Sequence, residues 1–325
     1  MQLIQPTPQQ SLRLLQTLKY VMGDLSSGAA RGLIEASQRH WLNTDWNWDR
    51  LEPLVPEKWT VPLPDLIARQ QLIQALVVLT VAEGRRDWQT FTRIRQLARI
   101  LQVKGAGLRY LWLWCRGAER LLALDIYWHG FIAQKYRYEW QRRGWGWLIG
   151  GIGTYQGLWK NQALAQRYQQ LQYLPSETLG YQFWHFYQQQ HYAFPGEKKG
   201  IHEGLLFHDM THVLGGFDTT PEGELLAVAL MVGYQKSGDP LASLLFIILQ
   251  QHAGVQTGLL SQAKKGLLNQ AAIADRFIQA LIAGSQMTVD LSQTWSPWQV
   301  IDQPVESLRQ RYSLDLNFST TMPQS

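Results

Sequence analysis

The sequence predicts an all-α protein built as a multi-helix bundle. Apolar residues recur at helical spacing along most of the chain, as in Leu12, Leu15 and Leu18. No segment alternates convincingly between apolar and polar residues, and no Asn-Gly dipeptide marks a hairpin. Glycine and proline separate one helical stretch from the next. Together these features leave no place for a β-sheet.

The first 64 residues are predicted to form one or two helices and a connecting segment. Apolar residues at helical spacing place the helices within residues 9–41. Residues 42–65 contain three tryptophans and four prolines without hydrophobic periodicity. Because such sequence is typical of irregular structure, we expect a connection that lies over the surface and has no regular element of its own.

Residues 65–145 are predicted to form a second helical unit. Apolar residues recur at helical spacing before and after a short break that contains glycine. This pair weakly resembles the helical TerB-like (tellurite-resistance) module, in which a small acidic turn joins two helices. Here Arg85 and Arg86 occupy the turn, between Glu83 and Asp87. We interpret the unit as a structural or docking domain.

A long apolar and aromatic stretch, residues 110–140, is predicted to be helical. Residues 136–149 then interleave arginine with tryptophan and tyrosine. That composition is typical of a segment lying in a membrane interface, with aromatic rings at headgroup depth and arginine on anionic lipid. A buried helix with an exposed basic end accounts for it equally well, so both interpretations stay open.

The second half of the chain is predicted to be a series of helices. Glycine, proline and turn residues divide it, as in Ser237-Gly238-Asp239-Pro240. The expected helical ranges are 150–173, 183–187, 198–215, 221–235, 240–251, 267–283 and 295–312. The polar tail, residues 316–325, is predicted to be disordered.

Composition narrows the classes of function. The chain of 325 residues has 30 Lys and Arg against 25 Asp and Glu, and the basic residues are spread out, so no nucleic-acid partner is expected. The single cysteine, Cys115, excludes a disulfide framework and suits a reducing compartment. We find no signal-peptide pattern and no run of eighteen apolar residues. With 15 tryptophans, the chain is expected to be cytoplasmic and peripherally associated with a membrane.

The candidate site begins with an H-D-x-x-H sequence formed by His208, Asp209 and His212. A helix turns about 100° per residue, so residues i, i+1 and i+4 fall within roughly a 100° arc. The three side chains can therefore point to one centre. Gly215 and Gly216 are expected to end this helix.

Glu224 is expected to reach the same centre from the next helix. Thr220 and Pro221 are typical of an N-cap and a first helical position, which puts Glu224 in the first turn. Two imidazoles and two carboxylates suit a divalent ion such as zinc, iron or manganese. Spacing alone also allows ordinary surface histidines and a glutamate that only favours a helix N-terminus.

The pattern resembles the signature of the Coq-four family of ubiquinone (coenzyme Q) biosynthesis proteins. That signature is H-D-x-x-H followed, after eleven residues, by Glu. His208, Asp209, His212 and Glu224 match it position for position. Gly223, directly before the glutamate, also fits.

Two further elements carry the resemblance, which covers residues 150–314. Residues 174–180 are similar to that family's L-P-x-x-T-L-G element, and residues 298–309 to its closing amphipathic segment. The preceding 150 residues lie outside the resemblance and suggest a fused docking or regulatory part. The predicted units are thus 1–64, the helical domain 65–145, a Coq-four-like metal and lipid domain 146–315, and the tail 316–325.

The resemblance implies a role in prenylquinone biosynthesis. It implies a divalent metal, most simply zinc, held by the four signature residues, with Asp209 either binding the ion or orienting a histidine. The implied ligand is a polyprenyl quinone precursor or other isoprenoid lipid, whose tail we place between residues 225–235 and 241–251. The implied reaction is oxidative decarboxylation of a polyprenyl-benzoate ring.

The same resemblance implies contact with a membrane surface and with other quinone-biosynthesis proteins, and a homo-oligomer is compatible with it. The alternative is a non-catalytic, membrane-associated lipid-binding scaffold in which the metal is structural. Both functions need the same residues, so the sequence does not separate them.

Overall fold

The computed structural model confirms the all-α class. It describes residues 3–25, 28–55, 65–143, 161–236, 238–257, 263–293 and 295–316. Within these ranges the chain forms fourteen α-helices and no β-strand. Several predicted features lie wholly or partly outside the described residues: the end of the aromatic and basic segment from position 144, the first part of the helix predicted over 150–173, and the tail from position 317. The described part of that predicted helix forms an α-helix over Gln162–Gln169 and a 3₁₀ turn over Gln170–Tyr173.

The helices follow one another with short connections. They are α1 (Pro8–Met22), α2 (Ala29–Ser37), α3 (Leu66–Ala82), α4 (Trp88–Ile100), α5 (Gly107–Cys115), α6 (Glu119–His129), α7 (Phe131–Arg143), α8 (Gln162–Gln169), α9 (Leu179–Gln189), α10 (Leu206–Gly215), α11 (Pro221–Tyr234), α12 (Pro240–Gln251), α13 (Ala271–Gln286) and α14 (Val305–Arg311).

The connection after α2 differs from its prediction. The helix continues into a π-helical turn, Gln38–Leu42, and a 3₁₀ turn forms at Trp48–Arg50. Trp48 is completely buried, with the Lys19 ammonium 5.3 Å from its ring, so the expected surface position is wrong there. The reason is that the large indole fills the core beneath α1. Residues 56–64 lie outside the description.

The predicted helical run 110–140 is divided into three helices. Gly117, whose φ is +67°, ends the first of them, and Gly130 separates the next two. Both carboxylates of the turn at Glu83–Asp87 cap helices. Glu83 accepts from the Ala30 backbone N–H at the start of α2, and Asp87 caps α4 by accepting from the Thr90 N–H.

Helix α10 begins eight residues later than predicted. Residues 198–202 are irregular and a 3₁₀ turn, Glu203–Leu205, precedes the helix. Two features prevent helix here: Lys199 has φ +68°, and Gly200 packs so closely that a Cβ would lie 2.1 Å from the Phe194 carbonyl oxygen. His202, which was expected on the helix, instead accepts a hydrogen bond from the Gly204 N–H.

The two elements that carried the family resemblance outside the signature contact each other. The N–H groups of Leu179 and Gly180 donate to the carbonyls of Gln303 and Ile301, and the Val305 N–H returns a bond to Glu177. The predicted helix 295–312 is interrupted before Pro304, since proline cannot donate within a helix, and only α14 is α-helical.

Helix α11 lies at the centre of the core, and every residue from Leu225 to Tyr234 is buried. Helix α13 packs against both α11 and α2, and Arg39 and His40 bond to Asp275 of α13. The buried apolar residues of both halves form one continuous cluster. The predicted division into domains stays a prediction.

No described helix has both the length and the apolar composition that crossing a bilayer demands.

Candidate metal centre

Helix α10 presents the two histidines one turn apart, as their i, i+4 spacing requires. The helix ends at Gly216, which adopts the left-handed conformation at φ +66° and ψ 29°. The Arg309 Nε from α14 donates to the Leu214 carbonyl oxygen at 2.8 Å. The closing segment of the chain thus caps the C-terminus of the helix that carries the site.

Helix α11 begins as predicted, with Thr220 as N-cap accepting from the Gly223 N–H and Pro221 at the first position. Asp218 folds over this end and accepts from the Thr220 N–H. A Cβ on Gly223 would lie 2.1 Å from the Asp218 carbonyl oxygen, so only glycine fits. The tight turn places Glu224 against α10.

Three of the four signature residues converge. The Nε2 atoms of His208 and His212 are 3.3 Å apart. Glu224 Oε2 lies 3.3 Å from His208 Nε2, and Glu224 Oε1 lies 3.5 Å from His212 Nε2. One ligand atom from each residue falls within 4.8 Å of the others, a grouping that the described residues show at this place alone.

These separations fit a divalent ion. Zinc bound to nitrogen and oxygen at about 2.0–2.1 Å in tetrahedral geometry holds neighbouring ligand atoms about 3.4 Å apart. The 3.3 Å between the two Nε2 atoms lies near that value, as do the 3.3 and 3.5 Å from each of them to a different oxygen of Glu224. The donor set of two imidazoles and one carboxylate is one that zinc and iron accept.

The outer nitrogen of each imidazole faces an acceptor. His212 Nδ1 lies 3.3 Å from the Phe217 carbonyl oxygen, and His208 Nδ1 lies 3.4 Å from the Met231 sulfur. Donation from Nδ1 leaves the lone pair on Nε2, which is the tautomer a metal ligand needs. Phe186 stacks on His212 at 5.7 Å between centroids and holds the ring plane.

The centre opens to solvent on one side. The His212 side chain is 1% exposed, whereas those of His208 and Glu224 are each 23% exposed. An ion held here would therefore be anchored on the buried imidazole and reachable past the other two ligands. Three protein ligands with one accessible side is the arrangement of catalytic zinc sites, since structural sites close with four.

Asp209 does not join the group, contrary to its prediction as a fourth ligand. Its Oδ2 accepts a hydrogen bond from the Tyr187 hydroxyl of α9 at 2.5 Å, and both side chains are buried. Asp209 lies at the edge of the helical arc, and α9 meets it there. Tyr187 and Phe186 escape sequence reasoning because no spacing rule links α9 to α10.

Glu224 and His208 shift each other's pKa, because each stabilises the charged form of the other. Burial opposes ionisation of Glu224, but hydrogen bonds from His208 and His212 outweigh it and hold the Glu224 pKa well below its usual value. Burial likewise disfavours the charged form of His208, yet Glu224 raises the His208 pKa above its ordinary value. Burial raises the pKa of Asp209, and the Tyr187 hydrogen bond opposes that rise.

The pairing of His208 with Glu224 is expected to stabilise the ion-free protein most in mildly acidic solution. The ordinary pKa of histidine is 6.5, and that of His208 is raised in the folded protein. Its protonated form therefore stabilises the fold fully below pH 6.5, and this contribution is lost as pH rises through the folded-state pKa. A lowered Glu224 pKa stabilises the fold above 4.5 and is lost as pH falls further. Thermal melts with a chelator should show this site's contribution at its maximum between these values, and Glu224→Gln should remove it. An unchanged profile in that variant would contradict the coupling.

Replacing Asp209 by asparagine is expected to leave one ion bound per chain. The asparagine oxygen can still accept from Tyr187. Because Asp209 bonds to Tyr187 and not to an imidazole, its replacement should cost less than the roughly 10–100-fold in affinity that direct partners of metal ligands cost. The cobalt(II) absorption spectrum should match that of the wild type, because the coordinating atoms are unchanged. Tyr187→Phe is the matched control. A changed spectrum in Asp209→Asn alone would restore Asp209 as a ligand.

The slot predicted for a lipid tail is not a gap. Helices α11 and α12 pack directly against each other, and the facing residues are buried. The apolar cavity described below lies between other helices. It includes Leu244 of α12 but no residue of α11.

Two comparisons with known proteins found no match. No protein-family model matches the chain, and no curated protein is significantly similar to it.

Proposed function

We propose that the protein is a metal-dependent enzyme of prenylquinone metabolism that acts on a prenylated aromatic acid. The observation that carries the proposal is the convergence of His208, His212 and Glu224 with one side open to solvent. Zinc is the first choice of ion, and iron or manganese suits the same donors. The resemblance of the signature to the Coq-four family supports the choice of substrate.

The charges of the ligands support an anionic substrate. The two imidazoles are neutral when they act as ligands, so Glu224 contributes the only negative charge of the three. A divalent ion held by these groups would keep a net charge of about +1 at the open side. A benzoate carboxylate is therefore attracted to the centre, whereas a second carboxylate ligand would have cancelled the remaining charge.

A divalent ion supplies a Lewis acid that polarises the carboxylate or phenolic oxygen of such a substrate. The chain positions the reaction around it. His212 is immobilised by Phe186 and the Phe217 carbonyl, which fixes the geometry on the buried side. Glu224 is partly exposed, so its carboxylate would hold its negative charge at the open side and offset part of the charge of the ion.

The proposed reaction class is decarboxylation of the benzoate ring. The bond between the ring carbon and its carboxyl carbon breaks, and carbon dioxide leaves. In the simple form a proton from solvent takes the place of the carboxyl group on the ring. In the oxidative form a hydroxyl takes that place, which removes two electrons from the substrate; dioxygen would supply the oxygen atom, and an external two-electron donor would reduce its second atom to water. Because zinc has no redox chemistry, the oxidative form calls for iron or manganese at the site. Contact with a membrane surface and with other quinone-biosynthesis proteins belongs to the same proposal.

The test combines turnover with folding. Purified protein loaded separately with zinc, iron(II) or manganese(II) is incubated with a polyprenyl hydroxybenzoate, with and without dioxygen, and products are identified by mass spectrometry. The variants are His212→Ala and Glu224→Gln, and His185→Ala, an exposed histidine on α9, is the control. Lost turnover with an unchanged Tm of the ion-free protein supports the enzyme.

Lost folding in both variants without any turnover by the wild type instead supports the scaffold with a structural ion. Wild-type protein that carries no metal under any condition eliminates both functions. The open, half-buried ligand set favours the first outcome.

A further inference from the structure

An apolar cavity lies between the N-terminal helices and α13. Its free volume is about 190 Å³. Helices α1, α2 and α3 form three sides of it through residues such as Leu14, Leu33 and Val78, and α13 forms the fourth with Phe277 and Leu281. It therefore exists only where the two halves of the chain meet.

The segment before α1 is fastened against the same cavity. Leu3, Ile4 and Pro6 contribute to its lining. The Trp41 indole Nε1 donates to the Ile4 carbonyl oxygen at 3.1 Å, and Gln5 Nε2 donates to the Trp41 carbonyl oxygen at 2.5 Å. These bonds fix the wall in place, so the cavity is a built feature of the fold.

The size and lining suit an organic ligand. An apolar cavity of about 150 Å³ stays dry and binds benzene, so 190 Å³ accommodates a chain of roughly eight carbons. A water molecule would be poorly stabilised in this cavity, because most of the lining side chains cannot form hydrogen bonds with it. The polar exceptions among the lining residues are Gln10, Ser37, Asp65, Gln71 and Gln74.

The charge of the described lining residues disfavours a ligand with an anionic head. Among the described residues that line it, Asp65 is the only charged one, and no lysine, arginine or histidine is among them. The Asp65 carboxylate caps α3 by accepting from the Ile67 N–H at 2.9 Å. A fatty acid or an isoprenyl phosphate would thus meet a negative charge and no counter-ion, whereas glutamine side chains can bond to a neutral hydroxyl or carbonyl group.

We propose that this cavity binds an uncharged, single-chain apolar compound, an alkyl or isoprenoid chain with a neutral oxygen at its head. The site does not depend on the metal centre. None of its lining residues lies on α10 or α11, the helices that carry His208, His212 and Glu224. Binding here can therefore succeed or fail whatever the fate of the proposed reaction.

The test is calorimetric titration of the full chain with 1-octanol and with octanoate. They share one chain length and differ in head charge. Octanol is expected to bind saturably, and octanoate at least about ten-fold more weakly, because its carboxylate would be desolvated beside Asp65 without a partner. Asp65→Asn keeps a good N-cap and removes the charge, so it should raise octanoate affinity and leave octanol unchanged.

Filling the cavity should abolish binding. Ala75→Phe and Ala68→Phe each place a ring in the space and are expected to weaken octanol binding at least about ten-fold without lowering Tm. Ala272→Phe, at an exposed position of α13, is the matched control and should bind as the wild type does. The proposal is overturned if octanol does not saturate, if a folded filled variant binds like the wild type, or if octanoate binds as tightly as octanol.

Discussion

Glu224→Gln is expected to lower the zinc affinity of the protein by more than about 100-fold, beyond the usual cost of altering a group outside the ligand set. The substitution replaces one carboxylate oxygen by an amide nitrogen and keeps the shape of the side chain. It removes the single negative ligand that lies 3.3 Å and 3.5 Å from the two imidazoles. Competition with a chelator of known affinity measures the change.

The same variant should lose the stabilisation that zinc gives. Ion at a thousandfold above Kd stabilises a folded protein by about 4 kcal/mol, whereas a variant that binds 100-fold more weakly keeps about 1.4 kcal/mol at the same zinc concentration. The rise in Tm on adding zinc should therefore be at most about a third as large in Glu224→Gln as in the wild type. The control is Glu52→Gln, which alters an exposed carboxylate distant in sequence from the metal centre. Equal zinc affinity in the two variants would show that Glu224 is no ligand.

The sequence predicted the histidine pair and Glu224 because local rules decide them. The i, i+4 spacing of His208 and His212 sets their common face on any helix. Thr220 and Pro221 define the start of α11 through N-cap chemistry, and the five-residue connection leaves Glu224 little choice of place. Such features depend on neighbours in the chain, so they can be read without knowing the fold.

The orientation of the Asp209 side chain could not be predicted in the same way. It lies at 100° from His208 around the helix, within reach of either the centre or the next helix. Its partner Tyr187 is on α9, and only tertiary packing brings that hydroxyl to 2.5 Å. A buried carboxylate takes the hydrogen bond that packing offers, because an unpaired one is costly.

Long-range packing also decided the other differences. The spacing of tryptophan and proline in residues 42–65 gives no sign that Trp48 fills the core. The cavity beside α13 is likewise invisible in the sequence, since its walls come from positions as distant as Leu14 and Leu281. Periodicity identifies which face of a helix is apolar, but it does not identify the helix that covers that face.

The second large effect is expected at Gly284, where α13 crosses α11. A Cβ on this glycine would lie 2.1 Å from the Leu230 carbonyl oxygen, and one on Gly233 of the facing helix would lie 2.7 Å from Gly284 Cα. Alanine in place of glycine ordinarily stabilises a helix by about 1 kcal/mol. Here Gly284→Ala should instead destabilise the protein by roughly 1–3 kcal/mol, because the two backbones must move apart.

Urea unfolding with a chelator present measures this effect without a contribution from bound ion. Gln286→Ala, an exposed position at the end of the same helix, is the control and should change stability little. Since α11 also carries Glu224, the displaced helix should weaken zinc binding in Gly284→Ala although the site itself is untouched. A Gly284→Ala protein that is more stable than the wild type would contradict the close crossing and, with it, the placement of the carboxylate against the histidines.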